Sequence, residues 1–239
     1  MLSSVALALA GVVALAPAAV APPDSCVVEE VTIEWGFKES FRSYLSGAIA
    51  LGTWSTSGDV SYQTPLFTFS GGDGFISADG ASGEIAFDGE FRFMGHGGIL
   101  NTFLSNPRLQ FVDEREAILF LDVAGDTMGG VSVEKLGIEF VRVTWPASAE
   151  TVDSESGVYD IQGAQTVLTD LGSGAFGTYV SGEIFDPMSI SLRVPGDCLE
   201  NASLSWWWIP GGAVGLAILG GAIWAGVTRA NRSRGPERP

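Results

Sequence analysis

Histidine is nearly absent from this 239-residue chain, which has one, His96, and cysteine occurs twice, as Cys26 and Cys198. A zinc centre takes three or four such ligands at close spacing, and the chain offers neither the number nor the pattern. A Ser-His-Asp arrangement would have a single imidazole to draw on, and no G-x-S-x-G turn accompanies it. Basic residues are also few: 12 Lys and Arg stand against 28 Asp and Glu, giving a net charge of −16. Positions 229–239 hold four Arg and one Glu, a net of +3, so the remainder of the chain carries about −19. There is no basic stripe to neutralise phosphates, which excludes nucleic-acid binding. One dinucleotide-like spacing, Gly172-x-Gly174-x-x-Gly177, lacks the strand-and-helix context that gives such a motif meaning. These absences predict a protein that binds rather than catalyses.

Apolar residues are concentrated at the two ends. Residues 5–15 are an Ala/Val/Leu run followed by Ala16, Ala18, Ala19 and Ala21, the pattern of a secretory signal peptide over 1–21. Residues 206–228 contain no charged side chain and are long enough, at about 1.5 Å per residue, to cross the hydrocarbon core. Trp206, Trp207 and Trp208 precede this run as an aromatic belt, and Arg229, Arg232, Arg234 and Arg238 follow it. The positive-inside rule then puts residues 229–239 in the cytoplasm and the central region outside the cell membrane. Ala213, Ala217, Gly221 and Ala225 form a small-residue stripe on which a homodimer could pack. Cys26 and Cys198 bracket everything between the two apolar runs, and an oxidising compartment favours a disulfide between them.

The middle alternates apolar with polar residues between Gly-rich turns, which predicts half-buried antiparallel strands. In residues 84–93, Ile85, Phe87, Phe91 and Phe93 share one face; Val141, Val143 and Trp145 share another, and Ile190, Leu192 and Val194 a third. Turns are expected at Gly71-Gly72-Asp73-Gly74, Ala78-Asp79-Gly80, Gly97-Gly98, Gly125-Asp126 and Gly129-Gly130. The expected fold is one mostly β domain over 31–195, an antiparallel sandwich or barrel-like sheet. Linkers at 22–30 and 196–205 flank it, and one transmembrane helix follows. Two segments depart from strand alternation, and both read F-x-[ST]-Y-[LV]-S-G: 41–47 and 176–182. Helical spacing of Phe37, Phe41, Tyr44 and Leu45 predicts a short helix, with Gly47 stopping it in the left-handed region. The second segment predicts a weaker helix because of Gly172, Gly174 and Gly177.

Tyrosine is scarce, and two of the four, Tyr44 and Tyr179, occupy equivalent positions in these segments. A phenolate is a hard anionic ligand suited to ferric iron and is a known axial ligand of haem. Ligation near neutral pH requires a hydrogen bond that favours the anion, which His96, between Gly95 and Gly97, is able to supply. Phe37, Phe41, Phe93 and Phe176 would give the apolar walls. The plainer alternatives are packing tyrosines and an exposed loop histidine.

Five blocks decide among these readings: residues 35–44 with Gly47, residues 67–72, residues 91–98, Leu104-Ser105-Asn106-Pro107-Arg108, and Ala175-Phe176 with Tyr179, Gly182 and Asp186-Pro187. In order and spacing they resemble the HtaA-type haem-binding domain of actinobacterial cell envelopes. The resemblance implies a mostly β fold with two short helices. It makes Tyr44 the axial ligand of ferric haem b, His96 the residue hydrogen-bonded to it, and Tyr179 a second pocket tyrosine. It also implies a non-enzymatic relay passing haem among partner proteins toward an ABC-type importer. Val180-Ser181 departs from the small Ala residues usual there. A surface module of the same fold, binding a protein or envelope partner in place of haem, is the competing expectation.

Overall fold

Alternation of large apolar with polar side chains makes one side of a strand a burial surface, and this chain uses the pattern from end to end. The computed structural model describes Pro22 and residues 25–126, 132–177, 179–196 and 198–199. Its strands are β1 (Ser25–Val27), β2 (Glu30–Trp35), β3 (Thr53–Gly58), β4 (Val60–Gln63), β5 (Leu66–Ser70), β6 (Asp73–Ser77), β7 (Gly83–Ala86), β8 (Gly89–Gly95), β9 (Leu100–Asp113), β10 (Glu116–Asp126), β11 (Ser132–Thr144), β12 (Glu150–Asp153), β13 (Val158–Leu168) and β14 (Ile184–Arg193). Helix α1 (Glu39–Ser46) lies between β2 and β3, and α2 (Asp170–Phe176) between β13 and β14.

The strands pair antiparallel along the path β1-β6-β7-β9-β10-β11-β13-β14-β2-β5-β4, and that path forks. Strand β9 pairs with β8 through residues 100–105 and with β7 through residues 108–111. Asn106, left-handed at φ 50°, marks the change of partner. Strand β13 changes likewise: residues 158–161 have β12 at their side and residues 165–168 have β11, with Gly163 (φ 66°) between. On the far side of β8 lies β3, whose Trp54 meets Tyr62 of β4 edge-on at 5.2 Å. The forks curl one antiparallel sheet into a half-barrel or sandwich, the class that the alternation predicts.

Its interior is aromatic. Phe37 is fully buried, with ring centroids 5.0–5.4 Å from Trp35, Phe93, Phe176 and Phe185. Its backbone is left-handed at φ 62°, which costs an L residue about 1–2 kcal/mol. Burial of its side chain, about 1.5–3 kcal/mol, offsets that cost. Cys26 and Cys198 form the expected disulfide, with Cα atoms 5.8 Å apart.

Several local expectations are corrected. Residues 84–93 are two strands: Ile85, Phe87, Phe91 and Phe93 are all buried, but the chain leaves β7 at Ala86 and joins β8 at Gly89. Gly89 fits there because a side chain would collide with Val60. Gly47 is extended (φ −75°, ψ 168°); the left-handed residue of that loop is Leu51, at φ 45°. Helix α2 ends at Phe176 with Gly177 left-handed, so Tyr179 follows the helix and the two matching segments differ in structure. The stretch read as a linker at 22–30 supplies β1, paired with β6. Gly125 and Asp126 belong to β10, whereas Gly129-Gly130 lies outside the described residues. The expected signal peptide, membrane span, dimer stripe and basic tail also lie outside them. Among the described residues, no helix is long and apolar enough to cross a membrane.

Candidate functional site

Helix α1 spans eight residues, too few to be stable alone, so packing holds it. Phe41 and Leu45, four apart, are buried, and Tyr44 is half-buried beside them. Leu45 sits against Gly52 and Gly95; a Cβ on Gly52 would strike Leu45 and the Met94 carbonyl. This close approach brings the last turn of α1 onto the end of β8, where His96 follows.

His96 is left-handed (φ 53°) and half-buried. Its backbone N–H donates to the carbonyl of Ala50, 2.7 Å away, in the loop after α1. Its Nε2 is hydrogen-bonded to the Tyr44 hydroxyl. The ring centroids of Tyr44 and His96 are 5.7 Å apart, and Phe41 lies 6.4 Å from Tyr44 on the inner side.

The second phenol reaches the same helix from the other end. Tyr179 stacks on Phe176, centroids 6.3 Å apart and planes within 7°, and packs edge-on to Phe185 at 5.5 Å and Phe41 at 6.5 Å. Its hydroxyl is 3.1 Å from Ser40 Oγ. Ser40 and Tyr44 are four residues apart, roughly 6 Å along the helix axis, so one helical row has His96 at one end and Tyr179 at the other. The Lys38 ammonium lies 5.5 Å from the Tyr179 ring centroid and donates to Glu183 at 2.7 Å and to the Ile184 carbonyl at 2.5 Å.

Tyr44, His96 and Tyr179, read from the sequence as one site, are thus brought to one face. Phe41 and Phe176 lie directly beneath the two phenols. Phe37 and Phe93 are fully buried one layer deeper, where Phe93 meets Phe41 at 5.0 Å. They support the face from below, whereas the sequence reading put them in the pocket wall. That reading missed Lys38, Ser40 and the exposed apolar residues Ile49 (79%), Leu51 (78%), Ile99 (57%) and Val180 (73%); Ile49 and Leu51 flank Ala50, Val180 follows Tyr179, and Ile99 closes the turn that starts at His96, its N–H donating to the His96 carbonyl. The i, i+4 spacing of Ser40 and Tyr44 was a usable signal for Ser40; the loop residues had none. A phenol paired with an imidazole, a hydroxyl pair and an apolar fringe together suit a flat amphipathic group bearing a hard cation. Among the described residues, no three His, Cys, Asp or Glu side chains converge on a metal position.

The sequence model of the HtaA (Htaa) family matches residues 30–191. No curated protein matches the chain. Among solved structures, the C-terminal domain of HtaA from Corynebacterium glutamicum is 32% identical, with a TM-score of 0.64 over 71% of this chain and 99% of that domain. The N-terminal domain of HtaA from the same organism is 26% identical, with a TM-score of 0.58 over 70% of this chain and 98% of that one. The haem-binding protein HtaB of C. glutamicum, 23% identical, shares the fold, with a TM-score of 0.53 over 71% of this chain and 96% of HtaB.

Proposed function

The chain belongs to the HtaA family, and from that premise we propose that it is a non-enzymatic cell-envelope protein that takes up ferric haem b on the α1 face and passes it on. Tyr44 is the axial ligand. The observation that carries this reading is the hydrogen bond between the Tyr44 hydroxyl and His96 Nε2 on a half-exposed face. A free phenol loses its proton only near pH 10. Ferric iron lowers that barrier from one side, and an imidazole nitrogen in contact with the oxygen lowers it from the other. In this reading His96 is the hydrogen-bond partner that orients and steadies the ligating oxygen of Tyr44.

The remaining parts divide the amphipathic ligand between them. Tyr179 and the apolar fringe of Ile49, Leu51 and Ile99 hold the macrocycle, with Phe41 and Phe176 keeping the supporting layer rigid. The Ser40 and Tyr179 hydroxyls offer donors to a carboxylate at its edge. A single protein ligand on an open face suits reversible handover, here toward an ABC-type importer, from a domain held outside the cell by residues 206–228.

Haemin titration of the purified protein tests the reading. A saturable Soret band with phenolate-to-iron charge-transfer absorption is expected, lost in Tyr44→Phe and shifted in His96→Ala. The exposed Ile49, Leu51 and Ile99 also suit a protein partner, and a wild-type protein showing no such band would favour that module instead.

A further inference from the structure

Helix α1 lacks a cap of its own. Lys38, at the N-cap position, makes no side-chain capping bond, although the first N–H groups of any helix need acceptors. The acceptor comes from 147 residues away: Asp186 Oδ1 takes the Glu39 N–H at 2.9 Å. Its other oxygen, Oδ2, pairs with Arg42 Nη2 at 3.0 Å, one turn further along the same helix. Arg42 is 9% exposed and is held in addition by the Pro65 carbonyl, 2.5 Å from Nη1.

Asp186 is itself immobilised. Its N–H donates to the Phe37 carbonyl at 2.9 Å, and its own carbonyl accepts from Trp35 Nε1 at 2.9 Å and Thr166 Oγ1 at 2.8 Å. Gly36 leaves room for the carboxylate, since any Cβ there would collide with it. A negative charge at this end of the helix also complements its dipole.

We propose that Asp186 is the positioning residue of the ligand helix: from the start of β14 it caps α1, pins Arg42, and so fixes Tyr44 against His96. A ligand must be held within about 0.5 Å of its productive place, and an eight-residue helix gives no such precision unaided. The same strand start holds the opposite end of the row, because Glu183 and the Ile184 carbonyl bind Lys38 beside Tyr179. Both phenols thus take their register from residues 183–186. This inference rests on the reading of Tyr44 as the haem ligand, and its test separates the two.

The test uses the full chain with Asp186→Ala and, to guard against misfolding, Asp186→Asn, which keeps an acceptor for the Glu39 N–H and loses the charge. Hydrogen exchange without haemin is expected to accelerate at the α1 amides of Asp186→Ala, with a smaller effect in Asp186→Asn, while amides in β10 and β11 remain unchanged. Haemin should dissociate about 10- to 100-fold faster from Asp186→Ala, with its charge-transfer band shifted. Phe111→Leu, at the far end of β9, is expected to lower thermal stability without moving that band. Wild-type exchange at α1 in both variants, or wild-type dissociation and spectrum in Asp186→Ala, overturns the proposal. A wild-type protein without the phenolate band sinks the ligand reading alone, and accelerated α1 exchange would then still uphold Asp186 as the clamp of the helix.

Discussion

Strand β9 connects two ends of the molecule that use the same side chain in opposite ways. At its Leu100 end, Tyr44 is half-buried with its hydroxyl on an imidazole. At its Phe111 end, Tyr159 packs 6.3 Å from Phe111, is 2% exposed, and its hydroxyl finds no partner among the described residues. Burial first, and then the nearby Glu150 carboxylate, pushes the Tyr159 phenol well above its ordinary range. The disulfide belongs to this second end: Cys26 is paired in register with Ile76 of β6, and the turn after β6 packs Gly80 beside Tyr159. What separates the two phenols is access: Tyr44 lies half-buried against an imidazole, whereas Tyr159 is sealed in the core, so tyrosine content alone is uninformative.

The contrast can be broken most forcefully at the sealed end. Replacing both Cys26 and Cys198 with Ser removes a link across 172 residues and is expected to cost about 4 kcal/mol of unfolding free energy in denaturant titration. Haemin affinity should stay within about twofold, because the β9 kink separates the two ends; a parallel loss of affinity would show that they are one unit. The converse change is Tyr44→Phe. Haemin affinity should fall at least about 100-fold, close to 3 kcal/mol, with unfolding free energy moving by less than about 1 kcal/mol.

Alkaline titration sharpens the comparison further. The folded-state pKa of Tyr159 is raised, so above about pH 10 the unfolded chain releases a proton that the folded chain retains. Its contribution is fully present below that pH and is lost as pH rises, at up to about 1.4 kcal/mol per unit. Tyr159→Phe should flatten this decline, and an unchanged slope would mean that the hydroxyl is not sealed. The smallest effect is expected from Ile49→Ser. That side chain is exposed, so unfolding should change by less than about 0.5 kcal/mol, while haemin dissociation accelerates roughly two- to fivefold through lost apolar contact. Equal dissociation rates would remove Ile49 from the fringe.

Much of this was legible because the signals are local. Period-two alternation marked Val141, Val143, Ile190, Leu192 and Val194 as core, and all are buried. Helical spacing located α1 to within two residues of its start. Tyr44, His96 and Tyr179 were picked out together, and the fold places them on one face. The break between β7 and β8 was hidden, since Phe87 keeps the alternation while the chain exchanges one neighbour strand for another. Tyr179 was assigned to a helix because its heptapeptide copies that of Tyr44, yet Gly177 turns the chain before it arrives.

Residue order by itself determined the strand pattern, the short α1, the acidic surface and which residue types were available as ligands, because each depends on neighbours a few positions apart. Only the tertiary structure decided that one phenol is open and another sealed, and that a carboxylate from β14 would cap a helix 147 residues earlier. Access to solvent and long-range hydrogen bonds depend on which strands become neighbours, and no interval along the chain encodes that.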